Sequence, residues 1–182
     1  LWNNTTSSAD SYGRILVQLT GTAGTSPFIL TVQSGTSAPY EESSFGSTLT
    51  TASLETFGHY AFRIYNSGSL NIDFYKNGQL LESKQSPLLL NEITGALRAN
   101  IGALTSPAVV STDEYAQLGW GKLSGSLDEF RFWKSKRTSE DIGRYWFTQV
   151  YGGTNTDIAN TDLGVYYKFN EGITNTASLD QV

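Results

Sequence analysis

The sequence predicts an all-β fold, and three observations carry the prediction. Charged residues make up 16% of the 182-residue chain and aromatics 13%, a balance that suits half-buried pleated surfaces better than solvated helices. Short runs alternate apolar and polar side chains with period two, most clearly H-Y-A-F-R-I-Y at 59–65 and L-N-I-D-F-Y at 70–75. Between the second run and Q-L-L at 79–81 stands Asn77-Gly78, whose residues both accept the positive φ of a type I′ hairpin turn. At this length one domain with a substantial core is expected, over residues 1–182.

The elements follow in order. Residues 1–13 are polar and read as a loop with Trp2 as a candidate anchor. R-I-L-V-Q-L-T at 14–20 and P-F-I-L-T-V-Q-S at 27–34 are β-branched runs separated by G-T-A-G-T-S, which predicts paired strands. Residues 35–47, with Tyr40 and the acidic pair Glu41 and Glu42, read as a loop. In the strand at 59–65, Tyr60, Phe62 and Ile64 take one face, and His59, Arg63 and Tyr65 the other. After the turn N-S-G-S at 66–69, Leu70, Ile72 and Phe74 share a face, while Asn71, Asp73 and Tyr75 point away. A short strand is expected near 98–102, and a long one over 124–133.

Thr138-Ser139-Glu140-Asp141 carries helix-start chemistry, a capping hydroxyl with an acid three residues later. Ile142, Tyr145 and Trp146 then recur at i, i+3 and i+4, which predicts one short helix near 139–147. L-G-V-Y-Y-K-F at 163–169 reads as a strand with Val165, Tyr167 and Phe169 on one face. Residues 170–182 are weakly patterned and are a candidate boundary with a following module. The chain begins at Leu1 and contains no methionine, so it is expected to be cut from a longer precursor.

Several function classes are disfavoured by composition. A net charge of −5, with Lys134, Lys136 and Arg137 as the densest basic run, does not suit a phosphate-binding surface, so no nucleic-acid partner is expected. Without cysteine there is no disulfide framework, thiolate metal site or cysteine nucleophile. Apolar runs of a few residues fall far short of the roughly 20 needed for a spanning helix, so no membrane insertion is expected. Asn3 and Asn4 stand in N-x-T patterns, which matter only in a glycosylating pathway.

Three segments, in order and spanning roughly residues 45–172, resemble one superfamily. The stretch G-H-Y-A-F-R-I-Y-N-S-G-S-L-N-I-D-F-Y-K-N-G-Q-L from Gly58 is similar to the strand, turn, strand and Y-x-N-G centre of concanavalin A-like domains, in their laminin-G-like and pentraxin-like forms. G-S-L-D-E-F-R-F-W-K-S-K-R-T-S-E-D-I from Gly125 resembles their strand followed by a capped helix. L-G-V-Y-Y-K-F-N-E-G from Leu163 is similar to their Y-x-F-x-E-G strand, which often opens such a domain. Gly58 departs from the pattern where the family often has Trp. The asparagine- and threonine-rich tail is also similar in tone to laminin-G-like modules of tailed-phage virion proteins. The resemblance implies a jelly-roll sandwich of two antiparallel sheets. It also implies a lectin-like module for adhesion on an extracellular, cell or virion surface.

Hydrolases of this fold use two carboxylates facing one cleft, but adjacent strand residues point to opposite faces. Asp128 and Glu129 are therefore not a catalytic pair, the spacing E-x-D-x-x-E is absent, and no catalytic residue is expected. Asp128 shares parity with Phe130 and Phe132 and is expected on the core side, bonded to backbone amides or, as the resemblance allows, binding a structural calcium ion with Asp113. Glu129 is expected at the surface, in a weak ion pair with Arg131. The lone His59 reads as a structural strand histidine rather than a base. Trp120, Tyr115, Tyr40 and Trp2 lie in loop-like segments and are the candidate aromatic platforms for sugar. The expected partners are a glycan or glycoprotein surface, or neighbouring modules of the parent protein. A purely architectural module is the alternative, and a glycoside hydrolase a more distant one.

Overall fold

The computed structural model describes residues 2–3, 13–19, 26–34, 40–90, 97–102, 123–150 and 162–169. Among them the class is mostly β, in three antiparallel sheets with two short helices. Strands β1 (Trp2–Asn3), β2 (Gly13–Leu19), β3 (Phe28–Ser34), β4 (Tyr40–Phe45) and β8 (Leu97–Arg98) form one sheet, in the order β4-β3-β2-β1-β8. Strands β5 (Tyr60–Asn66), β6 (Leu70–Lys76) and β7 (Gln79–Ser86) form the second. β9 (Phe130–Trp133) pairs with β10 (Leu163–Tyr167) in the third. Helices α1 (Thr51–Leu54) and α2 (Ser139–Tyr145) lie between strands in sequence.

Alternation decides what the first two sheets bury. β3 sends Phe28, Leu30 and Val32 to one side, and β6 sends Leu70, Ile72 and Phe74 toward them, so the two sheets share a single cluster. Phe45 from β4 and Leu88 complete it, with Ile15, Tyr60, Phe62 and Ile64 packed at its margin. Phe74 is fully buried, and its ring lies 5.1 Å from Phe28, 5.9 Å from Phe45 and 4.9 Å from Phe62. These tilted contacts, and the edge-on ones that Phe62 makes with Phe28 and Phe45, add to the area term.

The rim of this interface is polar. Glu82 of β7 accepts hydrogen bonds at Oε1 from the amides of Gly46 and Ser47, at 3.0 and 2.6 Å, and from the Ser47 hydroxyl at 2.8 Å. Lys84 donates from Nζ to the Ser44 carbonyl and lies 4.9 Å above the Phe45 ring. One carboxylate thus caps the turn after β4 from the opposite sheet. Charge-assisted bonds to backbone amides are the stronger class of hydrogen bond, so the link joins the sheets where apolar packing ends.

The hairpin prediction at 77–78 is realised. Asn77 and Gly78 have φ of 49° and 76°, and Lys76 pairs with Gln79 across a two-residue turn. Gly78 serves a second purpose, because a Cβ there would collide with the Trp146 indole and sit 3.1 Å from Gly143 Cα. The capping box also forms: Thr138 Oγ1 accepts the Asp141 amide at 3.0 Å, and Asp141 Oδ2 accepts the Thr138 amide at 3.3 Å. Tyr145 departs from its expected apolar face and is half exposed, while Trp146 packs inward at the helix C-cap.

Four expectations are corrected. Residues 40–45 form a strand rather than a loop, because backbone pairing with β3 from Tyr40↔Gln33 to Phe45↔Phe28 recruits a polar run that ends in a core phenylalanine. Residues 1–13 are not wholly loop, since Trp2 pairs with both Arg14 and Arg98. The strand near 98–102 is confined to Leu97–Arg98. The long strand over 124–133 reduces to Phe130–Trp133, because Glu129 adopts φ +54° and turns the chain just before β9. Phe169, at φ +57°, lies likewise beyond the end of β10. Residues 170–182 lie outside the described residues.

Gly78→Ala is expected to destabilise the protein by about 2 kcal/mol or more in urea denaturation, since strain at positive φ adds to overpacking against Trp146. Glu82→Ala is expected to cost about 1–3 kcal/mol by the same measurement, as three donors lose their shared acceptor.

Candidate polar face of the central sheet

The side of β5–β7 turned away from the core carries a set of oriented polar groups. Cross-strand pairing sets it out in rows: Tyr65 beside Asn71 beside Gln85, and Arg63 beside Asp73 beside Ser83. Strand alternation makes these rows the necessary counterpart of the Leu70, Ile72 and Phe74 core face.

Asp73 is buried and is the organising group. Its Oδ2 accepts from Arg63 Nε at 2.8 Å and from the neighbouring guanidinium nitrogen at 2.5 Å, and its Oδ1 accepts from Ser83 Oγ at 2.5 Å. The pair is largely removed from water, with side-chain exposures of 16% for Arg63 and 6% for Asp73. For Arg63, burial opposes the charge, yet the Asp73 hydrogen bond and the nearby negative groups prevail and hold the guanidinium pKa above its ordinary value. The adjoining row is bonded in sequence: Gln85 Nε2 donates to Asn71 Oδ1, and Asn71 Nδ2 donates to the Ser69 carbonyl, both at 2.8 Å. Tyr65 contributes an aromatic ring with Arg63 4.9 Å from its centroid on β5 and Lys136 4.5 Å from it.

The segment 134–148 lies against this face and its hairpin turn. Lys136 meets Tyr65, the Tyr75 hydroxyl is 2.9 Å from Ser139 Oγ, and Trp146 rests on Gly78. A second cluster anchors the end of the segment. Arg131 of β9 donates to the carbonyls of Tyr145 and Thr148 and, at 3.1 Å, to Glu129 Oε2, which also accepts the Tyr166 hydroxyl. Burial, followed by this bond to Glu129, raises the Tyr166 pKa. The Glu129–Arg131 pair expected at the surface therefore exists, but Arg131 is only 11% exposed and holds three backbone or side-chain partners.

The residues singled out from sequence fall as follows. Asp128 was expected in the interior; it is exposed, and its Oδ1 accepts the Glu129 amide at 3.0 Å. The parity argument fails because Asp128 precedes the left-handed residue and lies outside the strand. Asp113, Tyr115 and Trp120 lie outside the described residues. Trp2 and Tyr40 belong to strands β1 and β4 rather than to loops. Among the described residues no three acidic or histidine side chains converge on a metal position, and a calcium ion needs six to eight oxygens, so these residues alone do not build that site.

The Arg63–Asp73 pair has a sequence signal that alternation alone does not use: the N-S-G-S turn sets a register in which the two residues lie opposite each other. The contact of Trp146 with Gly78 had no sequence signal, being made between elements far apart in the chain. No protein family, curated protein or solved structure matches this chain.

Asp73→Ala is expected to destabilise the protein by about 3–5 kcal/mol in denaturant titration, because it strands a buried guanidinium. Replacing both partners, Arg63→Met with Asp73→Leu, is expected to recover most of that loss.

Proposed function

We propose that this chain is a non-catalytic recognition module with a concanavalin A-like, laminin-G-like jelly-roll sandwich, and that it binds carbohydrate on the outward face of β5–β7. The observation that carries the reading is the pair of rows built on Asp73, which holds Arg63 and Ser83 in fixed orientation beside Asn71, Gln85 and the Tyr65 ring. Planar amide and guanidinium groups next to an aromatic face are the chemistry that selects sugar hydroxyls and C–H surfaces, and preorganisation lowers the cost of ordering them on binding. Ser83 and Gln85 are exposed and available to a ligand. Asp73 is the sole carboxylate on the outward positions of these described strands. The proposed setting is an extracellular, cell or virion surface, with a glycan, a glycoprotein or neighbouring modules as partners.

An architectural module of a phage tail or capsid is the second reading. It is favoured by the internal satisfaction of Asp73 and Asn71, both of which are buried and bonded within the sheet.

A glycan array probed with and without calcium is expected to return saccharide ligands. Gln85→Ala and Tyr65→Ala are each expected to weaken the best of them about ten-fold, and Gln85→Ala is expected to cost about 1–3 kcal/mol of stability as well, because the buried Asn71 Oδ1 loses its donor. Binding to no saccharide on the array would favour the architectural reading.

A further inference from the structure

His59 is the sole histidine of the chain and stands where three parts of the fold meet. Its backbone is clamped to the hairpin turn: its amide donates to Asn77 Oδ1 at 2.9 Å, and its carbonyl accepts the Asn77 amide at 2.8 Å. Its ring lies 6.2 Å from the Trp146 indole, the same indole that rests on Gly78. The Nδ1 atom is buried with no hydrogen-bond partner among the described residues.

We propose that His59 is a proton-sensitive latch, whose neutral ring seats the 134–148 segment on the β6–β7 hairpin and whose protonated ring releases it. The surroundings support the neutral form from every side. From β9 comes Arg131, a cation, whose Nε is also buried without a partner among the described residues. The turn offers the uncharged Asn77 and Gly78, with Lys76 directed 6.0 Å above the Tyr60 ring. The end of α2 offers the Trp146 indole, and Arg144 on that helix is paired with Glu140. Among the described residues no carboxylate lies within ion-pair distance of His59, and Glu129, the acid nearest in the network, is already shared by Arg131 and Tyr166. A proton on His59 therefore places a second cation in the field of Arg131, with a buried N–H that has nothing to donate to.

Burial first and Arg131 second lower the His59 pKa from 6.5. Below the ordinary value the unfolded or released state thus binds more protons than the latched one. The seating is fully stable above pH 6.5 and weakens as pH falls toward the depressed value. Release would remove the contacts that Lys136 and Ser139 of this segment make with Tyr65 and Tyr75.

Hydrogen exchange of the whole chain at pH 7.5 and pH 5, corrected for intrinsic rates, tests the latch. Protection of amides in 139–148 and in the 76–79 turn is expected to fall roughly ten-fold at the lower pH while the β2–β3 pairing keeps its protection, and His59→Gln is expected to abolish that pH response. A response of equal size in His59→Gln, or none in the native chain, overturns the proposal. Should His59→Gln not fold, the single histidine resonance of the native chain decides the matter by NMR. A midpoint below 6.5 that coincides with a shift of the Trp146 indole signal supports the latch, and a midpoint at or above 6.5, or an unmoved indole, overturns it.

Discussion

The structure depends on the aromatic contact between two sheets that meet at Phe74. This one ring touches Phe28 and Phe45 from one sheet and Tyr60 and Phe62 from its own. Because interiors pack near crystal density, so many planar neighbours leave few alternative placements for β6. The strand's register, and with it the position of every residue on its other face, is set by where Leu70, Ile72 and Phe74 must go.

That constraint explains why the polar face is ordered. β6 is flanked by β5 and β7 and is buried along nearly its whole length, so Asn71, Asp73 and Tyr75 are also withdrawn from solvent although they point away from the core. A carboxylate in that position needs partners, and Arg63 and Ser83 are the residues that pairing places on either side of it. The same logic reaches the segment after β9. Tyr75 finds Ser139, and the hairpin turn accepts Trp146 because Gly78 has no side chain. The polar face and the segment across it are consequences of one buried strand, not separate constructions.

The local devices were legible because they are made by neighbours in the chain. The type I′ turn at Asn77-Gly78, the capping box of Thr138 and Asp141, and the alternation of β5 and β6 depend on residues within a few positions of each other, where φ preference, hydroxyl chemistry and period-two geometry suffice. Two misses have separate causes, a strand made by its pairing partner and a turn that the residue types do not announce. β4 is a polar run made into a strand by its pairing with β3, and Asp128 was assigned to the interior by a parity that Glu129 interrupts with a left-handed backbone. Unlike Asn77, whose Asn-Gly context announces its positive φ, a glutamate in that conformation has no reliable sequence signature, since its cost of roughly 1–2 kcal/mol is offset by contacts such as those of Glu129 with Arg131 and Tyr166.

By itself the sequence determined the β class, the hairpin, the helix start and the outward direction of Arg63, Tyr65, Asn71 and Asp73. Tertiary structure alone decided that the Arg63–Asp73 pair is buried, that Asp128 stays in solvent, and that His59 lies against Trp146 within reach of the Arg131 charge. The division is physical. Direction along a strand follows from backbone geometry, which each residue carries with it, whereas burial and charge environment depend on which distant segment comes to lie on top.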